Sequence, residues 1–148
     1  MRRHHTALLA LAALLLMGTS HTRRVGDDPL VVVVSAASSL REMSQSQVTN
    51  IFLGRYKRLP SGERAFPADS ATEKARFYRE LVGKTPGEIS AYWARLIYSG
   101  RTVPPEQISS PDQVIEWVEQ TPGAIAYVPL AAADHRVRVV FELGKADD

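Results

Sequence analysis

The run LVVVVS at residues 30–35 constrains this chain more than any other feature. It lacks the polar alternation of a half-solvated strand, so neither face of a strand built from it can be left to water. Such a strand belongs inside a sheet covered on both sides, which predicts a layered α/β domain. At 148 residues there is room for one domain with a modest core.

The punctuation after residue 35 supplies the covering elements. Ser44 with Gln47 three residues later has the spacing of a capping box, Val48, Ile51 and Phe52 follow at helical intervals, and Gly54 stands where a left-handed residue ends a helix. LPSGE reads as a turn, and RAFPA (64–68) as a short strand that its proline confines near a sheet edge. Ser70 and Glu73 form a second capping-box pattern, predicting a helix that buries Ala75, Tyr78, Leu81 and Val82 and stops at Gly83. Thr85, Pro86 and Glu88 open a third helix with the stripe Ile89, Tyr92, Trp93, Leu96 and Ile97, ended by Gly100. Ser110, Pro111 and Gln113 open a fourth, carrying Val114, Ile115, Trp117 and Val118. AIAYV and VRVVFEL close the chain as strands. The predicted order is β-α-β-α-α-α-β-β, with no linker, repeat or low-complexity segment inside it.

The N-terminus reads differently. Arg2, Arg3, His4 and His5 precede TALLALAALLLMG and then small residues, the pattern of a secretory leader with cleavage expected after Ser20 or within a few residues of it, the competing reading being an uncleaved N-terminal anchor. Residues 21–29 then form a linker, and 30–148 the folded domain. The apolar run is short for a membrane span, and no later segment is apolar enough for one. These features predict a periplasmic, soluble product. The chain has no cysteine, which rules out disulfides, thiolate metal ligands and a lipid-anchoring cysteine.

Of the 18 Lys and Arg, two lie in the leader, so its removal makes the basic count equal to the 16 acids. That balance removes the main argument for a nucleic-acid partner. The charge is nevertheless uneven, with nine basic against five acidic residues between 41 and 84. Catalytic constellations are sparse. There is no HExxH and no paired-histidine spacing, so neither a metal nor a cofactor is expected. His135 follows Asp134, but no GxSxG elbow offers them a nucleophile, and the chain does not read as an enzyme. The Tyr92–Trp93 stripe has the spacing of a core face rather than a stacking platform.

Three segments in order, LVVVVS…MSQSQVTNIFLGR, FYRELVGKTPGEISAYWARLIYSGR and TPGAIAYV, resemble the phosphate-binding-protein family of ABC transporters. The resemblance spans about residues 30–130. It implies a single lobe of a type II periplasmic binding protein-like fold, a mixed sheet flanked by helices, and a phosphate or other oxyanion as ligand. The family's phosphate-holding loop carries an arginine and a Ser-Gly-Ser-Gly-Thr-like turn at a helix N-terminus. Its counterpart here is Ala68-Asp69-Ser70-Ala71-Thr72, in which Ser70 and Thr72 keep hydroxyls, both glycines are replaced and Asp69 brings a carboxylate. The resemblance therefore implies an anion site of Asp69, Ser70 and Thr72 with Arg64 and Arg55 as cationic partners and Lys57 and Arg58 on its rim. A homodimer or an envelope partner would complete the cleft. The alternative is a non-transport interaction module of an envelope complex that has lost its ligand.

Overall fold

The computed structural model describes residues 28–144. The expected leader and most of the expected linker lie outside the described residues. The elements are β1 (Leu30–Ser35), α1 (Gln45–Phe52), β2 (Phe66–Ser70), α2 (Lys74–Val82), α3 (Pro86–Tyr98), β3 (Glu106–Ile108), α4 (Pro111–Gln120), β4 (Ala124–Pro129) and β5 (Val137–Glu142), with a 3-10 turn at Leu130–Ala132.

They form a five-stranded mixed sheet in the order β3-β2-β4-β1-β5. β1 is antiparallel to both β4 and β5, whereas β2 is parallel to β3 and β4. Every residue from Leu30 to Val34 is buried, as the β-branched run demands. Leu30, Val32 and Val34 join a core with Val48, Ile51, Phe52, Phe77, Ile89 and Trp93 from α1, α2 and α3. Val31 and Val33 face the other way, against Val114, Ile115 and Val118 of α4. The period-2 alternation of one strand thus serves two separate cores.

Three helix starts follow the capping logic. Ser44 and Thr85 form complete capping boxes with Gln47 and Glu88, and Ser110 accepts from the Gln113 N–H. Gly54 takes the left-handed conformation, φ 70°, just past α1.

The predicted helix at Ser70 does not form there. β2 stays extended through Ser70, because Ala68–Ser70 pair with β3 and the Ala71 N–H donates to the Ile108 carbonyl. Helix α2 begins only at Lys74, after Glu73, and has no side-chain cap. The later start turns the helix so that Phe77, Tyr78 and Leu81 are buried while Ala75 is exposed and Val82 is half-buried. The segment expected at a sheet edge is one strand in from it, since the three-residue β3 takes the edge. On α3 the buried pair is Ile89 and Trp93, and Ile97 lies outside the core.

Candidate functional site

Two polar features lie at opposite ends of β2. At its C-terminal end, Asp69 alternates with the core residue Ala68 and points to the α1–α3 side of the sheet, where it is fully buried. Its Oδ1 accepts from the Tyr78 hydroxyl at 3.0 Å and from the Tyr127 hydroxyl at 3.0 Å. Its Oδ2 accepts from Gln107 Nε2 at 3.0 Å and meets Lys74 Nζ at 3.3 Å. α2 supplies Lys74 and Tyr78, β4 supplies Tyr127 and β3 supplies Gln107. Burial, and next the Asp69 charge, push both phenols above the ordinary tyrosine range. Both hydroxyls therefore stay protonated donors. The rings around them are tightly packed, Tyr127 stacking on Phe77 at 3.6 Å and Phe77 lying edge-on to Phe52 at 4.8 Å. Ser70 is also buried, and its hydroxyl lies 3.3 Å from that of the exposed Thr72.

At the other end, the chain entering β2 makes a small hairpin. Arg58 pairs with Arg64 across it, the Leu59 N–H donates to the Glu63 carbonyl and the Ala65 N–H to the Lys57 carbonyl. The hairpin walls a cleft of about 610 Å³, bounded also by Tyr56, Phe66, Trp93, Thr102, Glu106 and Trp117. Arg64 lies over the Phe66 ring at 5.3 Å, Arg58 donates to the Gly62 carbonyl at 2.8 Å, and Lys57 Nζ donates to Thr102 Oγ1. Trp93 Nε1 is buried with no hydrogen-bond partner among the described residues.

The five residues of the sequence-derived anion site are thus not one cluster. Asp69, Ser70 and Thr72 stay together at the C-terminal end of β2. Arg64 is six residues back along extended chain, about 20 Å away. Arg55 is exposed, donates to Asn50 Oδ1 at 3.4 Å and lines a separate groove between α1 and α3. The sequence pattern places Tyr78 in the core but links none of Tyr78, Tyr127, Gln107 and Lys74 to Asp69. A tyrosine inside AIAYV, on a strand that is otherwise apolar, was the one available signal. The Asp134 carboxylate is taken up by Arg136 at 2.7 Å rather than by His135, which is exposed. Among the described residues no group of three or more His, Cys, Asp or Glu side chains is gathered to hold a metal.

Solved structures supply the frame. The chain superimposes on an ABC-type phosphate transport receptor from Vibrio cholerae with a TM-score of 0.61 at 19% identity, covering 81% of this chain and 48% of that one. It matches a Clostridium perfringens protein, assigned as a phosphate ABC transporter substrate-binding protein and holding bound phosphate, with a TM-score of 0.59 at 15% identity, covering 76% and 44%. The fold is that of one lobe of a type II periplasmic binding protein. At these identities the likeness is one of fold, and the chain spans just under half the length of either structure. No protein-family model and no curated protein matches the sequence. Within this lobe, the end of β2 that carries Asp69 is the C-terminal end of its parallel strands, the end at which open α/β sheets usually take ligands.

Proposed function

We propose that the protein is a non-catalytic recognition module of the periplasmic-binding-protein fold, exported to the periplasm, whose oxyanion position is filled by its own Asp69 carboxylate. The observation that carries this reading is the saturation of Asp69. Two phenols, one amide and one ammonium already converge on it, and it is fully buried. Each phenol has one proton to donate, so neither can serve a second anion without releasing the first. An oxyanion beside Asp69 would also meet a like charge in surroundings that screen poorly. Export rests on the N-terminal leader pattern.

A second reading keeps phosphate as ligand, bound outside this carboxylate by Thr72, Ser70 and the one-third-exposed Lys74 and closed over by a second copy or an envelope partner. Lys74 favours it, because its ammonium pairs with the buried Asp69 while its side chain still reaches solvent beside the exposed Thr72.

Thermal melting of the purified protein against phosphate, sulfate, molybdate and arsenate separates the two. A ligand present at a hundred times its dissociation constant stabilises by about 2.7 kcal/mol. We expect no shift in Tm at millimolar concentrations of any of the four. A rise with phosphate that disappears in Thr72→Ala and Lys74→Gln would establish the second reading. Asp69→Asn, which leaves Gln107 and Lys74 facing an amide, should lower stability by about 2–4 kcal/mol without creating a phosphate response.

A further inference from the structure

We propose that the cleft at the N-terminal end of β2 is the docking site for an acidic peptide segment of a partner protein, in which carboxylates flank an aromatic or branched apolar side chain. The proposal rests on the recognition reading above and names the surface and the partner chemistry.

Charge is the first argument. Arg58 and Arg64 are directly opposite each other in the hairpin, an arrangement that costs stability unless something negative sits between or beside them. Among the described residues neither they nor Lys57 forms an ion pair. Arg58 spends one N–H on a backbone carbonyl, and among the described residues the Arg64 guanidinium makes no hydrogen bond, which leaves most donors of two guanidiniums unspent. Guanidinium forks match carboxylates in bidentate geometry, and among the described residues Glu106 is the only acid on the cleft wall.

Apolar surface is the second argument. Tyr56 is 52% exposed, Phe66 41% and Val103 80%, and all three line this cleft together with Trp93 and Trp117. An inorganic anion would use the cations and leave these side chains in water. An extended segment uses both, placing carboxylates on the arginines and an apolar side chain against the rings. A single-stranded nucleic acid would also stack on aromatic rings, but it needs a longer basic track than three cations interrupted by Glu106.

The chain's two tryptophans both line the cleft, so intrinsic fluorescence reports its occupancy directly. The probe is a tryptophan-free peptide of alternating acidic residues with phenylalanine and leucine. A saturable change in emission is expected, weakened at least tenfold in Arg58→Gln/Arg64→Gln and by raised salt, and unchanged in Thr72→Ala at the far end of β2. Far-UV circular dichroism confirms that the exposed substitutions leave the fold intact. The proposal is overturned by an absence of saturation, by equal binding of the peptide with lysine in place of its acids, by wild-type affinity in the double variant, or by tighter saturation with oligo-dT. A phosphate-dependent rise in Tm with peptide binding intact would remove the filled-site reading and leave the cleft standing. A lost peptide response with no phosphate effect would do the reverse.

Discussion

Asp69 lies in a strand among apolar neighbours, where a carboxylate is tolerable only if its oxygens are met by donors. Tyr78 and Tyr127 meet Oδ1, and the arrangement ties their protonation to the fold. Both phenols are pushed upward, first by burial and then by the Asp69 charge. A group whose folded pKa exceeds its unfolded value contributes stability that is complete below the unfolded value, about pH 10 for tyrosine, and is lost as pH rises beyond it. Stability should therefore hold up to about pH 10 and decline above it. Absorbance near 295 nm, followed alongside far-UV circular dichroism, checks this. Of the five tyrosines, Tyr78 and Tyr127 should ionise only as the circular dichroism signal is lost. Ionisation of all five with the fold intact would show that the cluster is open to solvent.

Among the elements, the β2–β4 junction depends on one glycine. Gly123 has φ 79°, and a Cβ added there would lie 2.0 Å from the Arg64 carbonyl oxygen. Its own carbonyl accepts from the Phe66 N–H at 2.9 Å, so the same residue fixes where Arg64 and Phe66 enter the cleft. Gly123→Ala should cost about 3 kcal/mol in urea unfolding, through combined left-handed strain and clash. A cost below ~1 kcal/mol would mean that the backbone approach is looser than described. Ser44, Thr85 and Ser110 announced their helices because a cap is a local device, complete within four residues. Ser70 and Glu73 have the same spacing, yet pairing with β3 holds Ser70 in the sheet. β3 itself is three residues with no alternation to detect, so the signal that overruled the cap was not in the local sequence. The Asp69 cluster was hidden for a related reason. Its phenol and amide partners lie 9, 38 and 58 positions away, and only the folded sheet gathers them.

The two cores of the molecule are joined through a single central strand. They share β1, whose alternate residues enter opposite cores, so loosening either face exposes the strand that the other packs against. The tryptophans are placed to test this, because Trp93 belongs to the α1–α3 core and Trp117 packs against the α4 core. In Trp117→Phe the remaining Trp93 reports one face, and in Trp93→Phe the remaining Trp117 reports the other. If the cores are coupled through β1, the urea midpoint by fluorescence coincides with that by far-UV circular dichroism in each variant. The two midpoints themselves should differ. Trp93 is 5% exposed and Trp117 only half-buried, so the smaller ring leaves the larger gap at position 93, costing about 1–2 kcal/mol more there. A fluorescence midpoint for Trp117 that precedes the loss of circular dichroism would show the α4 layer peeling from the sheet before the rest. In that event the cleft would lose its Trp117 wall under mild denaturant, and peptide binding would fail before the fold does.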